Sequence, residues 1–198
     1  MTHTELIKQR IADSIAVKQG LMENEKLLAT VEALANDIAK SIAEGGKIVL
    51  CGNGGSASDA LHFAGEIVGR FVKERKAWPA VVLNADVATM TAIANDYGYD
   101  DVFARQTEGH LKPGDMFIGI STSGNSENVY RAMLKAKEIG AKTACLVGKD
   151  GGKIGRESEY TIIVPCNVTA RVQESHILII HILCEIVESK LAEREAHE

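Results

Sequence analysis

The stretch Lys47-Ile-Val-Leu-Cys-Gly-Asn-Gly-Gly-Ser-Ala-Ser-Asp-Ala-Leu-His62 decides the fold, because it joins a buried strand, a tight glycine turn and the start of a helix. Residues 47–50 form an apolar run typical of a strand covered on both faces. The glycines that follow leave backbone N–H groups bare at the first turn of a helix, where an anion is favoured. Four residues apart on this helix, His62 and Glu66 share one face. An anion cradle beside a potential acid, base or metal ligand predicts chemistry on a small phosphorylated molecule.

Composition narrows the class of protein. The 198 residues include 22 basic and 27 acidic ones, a formal net charge of −5, so we expect no nucleic-acid partner. The four cysteines are scattered without a C-x-x-C pair, which is typical of a reducing compartment. The amino terminus lacks the apolar region of a signal peptide, and no apolar run reaches the length of about 18 residues needed to span a bilayer. We therefore expect a cytoplasmic protein with no membrane partner.

Hydrophobic patterning predicts an α/β chain. Helical periodicity over 4–44 predicts two helices, or one helix broken near Gly20–Glu23. Five runs rich in Val, Ile and Leu are predicted as strands, at 47–51, 80–84, 116–120, 143–147 and 160–164. Helices are predicted at 57–71, 86–94, 126–139, 152–157 and 170–193. This alternation predicts one domain over 1–198 with a doubly wound, five-stranded parallel sheet. Within it we expect a helical extension, 1–45, that packs in an oligomer, and an α/β core with a C-terminal helix, 46–198.

A second polar loop, Ser121-Thr-Ser-Gly-Asn-Ser126, follows the predicted strand 116–120. Its hydroxyl groups and the start of the next helix offer side-chain and backbone donors to a phosphate. Capping that helix needs only one serine, for which Ser126 is the candidate, so the other hydroxyls favour a phosphate site. Taken alone, the first loop fits a purely structural turn as well as an anion site, since it matches neither the P-loop nor the dinucleotide fingerprint.

Together these loops resemble the sugar isomerase (SIS) domain family and, within it, the bacterial phosphoheptose isomerases. The resemblance runs over nearly the whole chain through short matches in the same order: His62-Phe-Ala-Gly-Glu66, Ala94-Asn-Asp96, Ser121–Ser126, Gly148-Lys-Asp-Gly-Gly152, Arg171-Val-Gln-Glu174 and His181. It implies an SIS-type three-layer αβα fold that binds a phosphosugar at the carboxyl edge of its sheet. It also implies a tetramer with active sites at subunit interfaces. One departure is Ala170, where many relatives carry an acidic residue.

The resemblance also implies roles for single residues. One divalent metal, zinc, would be bound by His62, Glu66, Gln173 and His181. Glu66 would be the catalytic base and His181 its acid–base partner, whereas His176 receives no ligand role. The substrate would be bound by Asn53, Gly54, Gly55, Ser56, Glu66, Asn95, Asp96, Ser121, Thr122, Ser123, Ser126 and Gln173. Without the resemblance, His181 within Ile179–Leu183 would also suit a core histidine with a polar partner.

The spacing of Gln173 and His181 poses a geometric problem for a shared metal. Eight residues span about 12 Å along an ideal helix. Two ligands of one zinc lie within roughly 4 Å of each other. Either Gln173 precedes the regular helix, or neighbouring subunits contribute the two groups.

The implied activity is conversion of sedoheptulose 7-phosphate to D-glycero-D-manno-heptose 7-phosphate, an early step of heptose nucleotide biosynthesis. Such an aldose–ketose isomerisation moves a proton between C1 and C2 and stabilises an enediol-type intermediate. One alternative is a non-catalytic phosphosugar-binding scaffold of the type that binds the replication initiator DnaA. The presence of all four metal and acid–base positions favours the enzyme. Another alternative is an isomerase of hexose phosphates in the same fold.

Overall fold

Five short strands form one fully parallel sheet in the computed structural model, which describes residues 1–195. The strands are β1 (Ile48–Gly52), β2 (Ala80–Val82), β3 (Met116–Ser121), β4 (Lys142–Gly148) and β5 (Tyr160–Val164). Their order is β2-β1-β3-β4-β5, and every neighbouring pair is parallel. All residues of β1 and β3 are buried, which explains apolar runs without alternation. The last three residues of the predicted core, 196–198, lie outside the described residues.

Helices cover both faces of this sheet. They are α1 (His3–Met22), α2 (Glu25–Ala43), α3 (Gly55–Val68), α4 (Val87–Tyr97), α5 (Val102–His110), α6 (Glu127–Ile139), α7 (Gly152–Glu157) and α8 (Thr169–Glu195). One core lies where α2, α3 and α8 meet the sheet, and includes Leu34, Phe63 and Leu183. The other lies where α5, α6 and α7 meet the opposite face, and includes Phe103 and Met133. The predicted three-layer αβα fold is confirmed.

The predicted elements lie within three residues of the observed ones, and two observed elements were not predicted. Each predicted strand and helix is present, and 152–157 and 160–164 match in full. The amino-terminal segment forms two helices: α1 ends at Met22 with Glu23 as its C-cap, and Asn24 caps α2 by accepting a hydrogen bond from Leu27 N at 3.1 Å. Helix α5 and the 3-10 turn Tyr99–Asp101 before it were not predicted.

Helix α1 exposes much of its apolar surface. Ile7, Ile11 and Ile15, which we call the α1 stripe, are 59%, 56% and 52% exposed. The helix is held to α8 by a hydrogen bond from Ser14 Oγ to Glu174 Oε2 at 2.7 Å. Among residues 1–195, no helix combines the length and the apolar character needed to cross a bilayer.

Candidate functional site at the carboxyl edge of the sheet

The two predicted anion loops meet at the carboxyl ends of β1 and β3. These strands are neighbours, with Gly52 paired to Ile120. The helix that follows β1 packs on one face of the sheet and the helix that follows β3 packs on the other. The two connections therefore diverge at this point and leave a crevice, the place where ligands bind in open α/β sheets.

An asparagine pair joins the two loops across this crevice. Asn53 Nδ2 donates to Asn128 Oδ1 at 2.9 Å, and Asn128 Nδ2 donates to Asn53 Oδ1 at 3.1 Å. Tyr99 Oη also donates to Asn53 Oδ1, at 2.9 Å. Asn53 thus positions the first loop, and its carbonyl oxygen is already engaged before any substrate binds.

The first loop brings backbone close to α8. Gly54 has φ +56°, a conformation that favours glycine, and helix α3 begins behind it without a side-chain cap. A Cβ on Gly55 would lie 2.2 Å from Gln173 Nε2, so the amide of Gln173 rests directly on the first turn of α3. Ser56 is buried in the same turn. The N–H groups of Ser56 and Ala57 donate to Asn53 O and Gly54 O, both at 3.0 Å, so the positive amino end of the helix dipole, more than free N–H groups, suits an anion here.

The serine hydroxyl groups of the second loop lie close to one another, and none of them caps α6. Ser121 Oγ lies 2.9 Å from Ser126 Oγ and 3.4 Å from Ser123 Oγ. Ser126 occupies the N-cap position of α6, but its side chain makes no capping hydrogen bond, so it does not act as the predicted cap. The serine cluster and the amino end of α6 offer the kind of donors that a phosphate accepts. Thr122, between them in the chain, is half-buried.

Three predicted metal ligands converge beside these loops. His62 Nε2 lies 2.8 Å from His181 Nε2 and 3.2 Å from Glu66 Oε1, and the ligand atoms of the three residues lie within 4.8 Å of one another. Tetrahedral zinc with bonds near 2 Å places its ligands about 3.3 Å apart. Two imidazoles and a carboxylate at these separations fit a zinc donor set. The two histidine nitrogens, 2.8 Å apart, would need to move apart by about 0.5 Å.

Gln173 does not join this cluster in its own chain. It lies inside α8, which begins at Thr169, so the prediction that Gln173 precedes the regular helix is wrong. Its amide contacts Gly55, seven residues and about two helical turns before His62 on α3. The second alternative, a contribution across a subunit interface, stays a prediction.

The predicted sugar ligands Asn95 and Asp96 are exposed on the last turn of α4, where Asn95 Nδ2 donates to Asp96 Oδ1 at 2.9 Å. Their neighbour Tyr99, which was not predicted from the sequence, is the residue of this segment that contacts the first loop.

His176 is buried, and its Nε2 contacts Val147 O at 3.2 Å. Desolvation lowers the pKa of His176 to about 4, so it is a neutral core histidine.

Asp59 is a half-buried carboxyl group, close to the cluster in sequence, that was not predicted as a site residue. It lies three residues before His62 on α3, and its Oδ2 is buried without a hydrogen-bond partner among the described residues. Burial raises the pKa of Asp59 to about 6, against a smaller opposing effect of His62. The i, i+3 spacing to His62 is the signal that could have identified it.

Comparison with known proteins shows the family to which this fold belongs. The profile of the SIS domain matches residues 13–148, so fold and site define a SIS-domain protein. A phosphoheptose isomerase of Sulfurimonas denitrificans is 46% identical over 185 residues, which cover 93% of this chain and 95% of the relative. The chain therefore belongs to the phosphoheptose isomerase family.

Solved structures of the same family superpose closely on this fold. The phosphoheptose isomerase of Neisseria gonorrhoeae has a TM-score of 0.88 and 41% identity, covering 95% of this chain and 100% of that one. The enzyme of Francisella tularensis has a TM-score of 0.89 and 33% identity, covering 96% and 100%.

Proposed function

We propose that the chain isomerises sedoheptulose 7-phosphate to D-glycero-D-manno-heptose 7-phosphate. The observation that carries this proposal is the cluster of His62, Glu66 and His181, open to solvent beside two uncapped helix starts. A phosphosugar needs an anion site for one end and an acid–base pair for the other. The family membership supports the same substrate class.

In this proposal the two loops bind the phosphate and orient the sugar. The donors on the second loop are Ser121, Thr122, Ser123 and Ser126, and those on the first are Asn53, Gly54, Gly55 and Ser56. Both helix starts place partial positive charge toward the same crevice, which favours a dianionic group. We assign Asn95 and Asp96 to the sugar hydroxyl groups, together with Gln173.

Glu66 and His181 would carry the protons of the reaction. Glu66 takes a proton from C1 of the ketose while His181 donates a proton to O2, which gives the 1,2-enediol. His181 then takes the proton of O1, and Glu66 returns its proton to C2, so the aldose forms with no net gain or loss of protons. Both side chains are partly exposed, so a substrate can reach them from the crevice.

Zinc is the metal that this donor set favours, because imidazole and carboxylate are ordinary zinc ligands. His62, Glu66 and His181 would hold it, and Gln173 of a neighbouring subunit would be the fourth ligand. A bound zinc would polarise the sugar carbonyl as a Lewis acid. Neither Glu66 nor His181 can carry a proton on an atom that binds the cation, which predicts that metal binding and proton transfer compete at these two residues.

We further propose a cytoplasmic homotetramer with active sites at subunit interfaces. The amino-terminal extension 1–45 would pack between subunits, since the α1 stripe needs an apolar partner. The four cysteines are free thiols, as expected in a reducing compartment. The scaffold alternative is not favoured by the comparisons, whereas hexose phosphates remain the competing substrates.

The direct test is incubation of the purified protein with sedoheptulose 7-phosphate, with and without added zinc, followed by NMR of the aldose product. Glu66→Gln is the matched control, because it keeps the size of the side chain and removes the base. Product from the wild type and none from Glu66→Gln would support the proposal. Fructose 6-phosphate in parallel measures chain-length preference. A folded, oligomeric sample that converts neither sugar would favour the scaffold.

A further inference from the structure

A buried carboxylate on α8 holds the loop that follows α3. Glu188 is 3% exposed, and its two oxygens accept hydrogen bonds from the backbone N–H groups of Phe71, Val72 and Lys73 at 2.9–3.1 Å. Arg75 Nε donates to the same carboxylate at 3.0 Å. Burial alone would raise the pKa of Glu188, but these donors lower it, so the group is ionised.

The guanidinium of Arg75 closes the end of α3. Its Nη2 donates to the carbonyl oxygen of Glu66 at 2.8 Å, and its Nη1 donates to those of Ile67 and Gly69 at 3.0 and 3.2 Å. These are carbonyl groups at a helix end, which lack partners within the helix. The guanidinium also stacks 3.6 Å from the ring of Trp78. Arg75 therefore fixes the last turn of the helix that carries the proposed base.

The same pair reaches both halves of the proposed acid–base site. Glu188 lies seven residues after His181 on α8, about two turns along the same face. Phe71, whose N–H is bound by Glu188, places its ring 5.9 Å from the ring of His181. We infer that Arg75 and Glu188 are positioning residues, which set the distance between Glu66 on α3 and His181 on α8. This inference rests on the proposed isomerase function.

The conservative variant Arg75→Lys tests the inference in a folded protein. The ammonium group of lysine keeps the positive charge next to Glu188. It lacks the planar set of donors with which the guanidinium binds the carboxylate and the carbonyl groups of α3 at the same time. Asp115→Asn is the matched control, because Asp115 is also fully buried and paired with Lys47 at 2.5 Å. Asp115 precedes β3, so it lies at the opposite edge of the sheet from the crevice.

Melting temperature, oligomeric state, kcat and KM are measured for the wild type and both variants, well below the lowest melting temperature. Zinc affinity is measured on metal-free protein by competition with a chromophoric chelator. For Arg75→Lys we expect kcat and zinc affinity to fall by about tenfold to a hundredfold, with KM changed by less than about threefold. Asp115→Asn should match the wild type in kcat and zinc affinity despite its lower melting temperature.

Three outcomes would overturn the inference: wild-type kcat and zinc affinity in Arg75→Lys, equal losses of kcat in both variants, or a loss confined to KM. If the wild type itself does not convert the heptose, the proposed function fails, and zinc affinity alone then decides on positioning. A tenfold weaker zinc site in Arg75→Lys, but not in Asp115→Asn, would still support it. Equal affinities would reject it.

Discussion

Substitution of Gly55 by alanine isolates the contact between α3 and Gln173. The added Cβ would lie 2.2 Å from Gln173 Nε2 and 2.9 Å from its Cδ. Ordinary contact begins near 3.4 Å, so the amide must retreat by about 1 Å. The obstruction is the end of a flexible side chain, and Gly55 has no positive φ, so alanine can adopt its backbone conformation and lowers the entropy of the unfolded chain. We therefore expect unchanged or raised thermal stability with a kcat/KM lower by about a hundredfold.

The assay is steady-state isomerisation with thermal unfolding measured on the same samples. Gly109→Ala, in α5 where a Cβ meets no atom within 4 Å, controls for the effect of alanine on a helix and should keep full activity. In a Gln173→Ala background, Gly55→Ala should cause little further loss, because the displaced amide is already absent. Full activity of Gly55→Ala would refute the reasoning, and additive losses would show that the methyl group obstructs the substrate directly.

Three further predictions concern the acid–base pair and the opposite edge of the sheet. Glu66→Gln should abolish turnover and keep the oligomer, whereas activity above about a tenth of wild type would exclude Glu66 as the base. His181→Gln should lower both bound zinc, measured by mass spectrometry, and kcat; full zinc content would remove His181 from the metal ligands. Burial alone would raise the pKa of Asp115, but hydrogen bonds from Lys47 and Lys112 lower it. This pair therefore stabilises the fold above the unfolded pKa near 3.9, and the stabilisation is lost as the pH falls through the lower folded pKa. Asp115→Asn should cost about 3 kcal/mol at pH 7, and its difference in melting temperature from the wild type should begin to shrink as the pH falls below about 4; a constant difference would contradict this assignment.

Much of the fold could be predicted from sequence because its strands are buried on both faces. Continuous apolar runs mark β1, β3 and β4 clearly, and glycines or prolines separate them from the helices. The missed helix α5 follows the polar run Asn95–Asp101 and buries only four residues, Val102, Phe103, Gln106 and Thr107. With two polar residues among those four, its apolar periodicity is too weak to detect.

The site could be predicted only where its residues lie within short motifs. His62 and Glu66 share one helical turn, so their proximity follows from spacing alone. The hydrogen bond between Arg75 and Glu188 joins residues 113 positions apart, and no local pattern signals it. Likewise, the contact of Tyr99 with Asn53 depends on how α4 and the 3-10 turn pack against the first loop. Such contacts need the tertiary structure.

The asparagine pair across the crevice has a consequence for the energetics of recognition. Its two amides satisfy each other, so the two loops are held in register by the folded core before a sugar arrives. A flexible pair of loops would lose conformational entropy when the sugar binds. Here that entropy is already lost when the protein folds. Replacing either asparagine removes both bonds at once and leaves the Nδ2 donor of the other without this partner, a loss that is costly in the buried Asn128. The crevice is thus preorganised, and its affinity for the proposed phosphosugar should depend on two side chains whose mutual hydrogen bonds need no contact with the ligand.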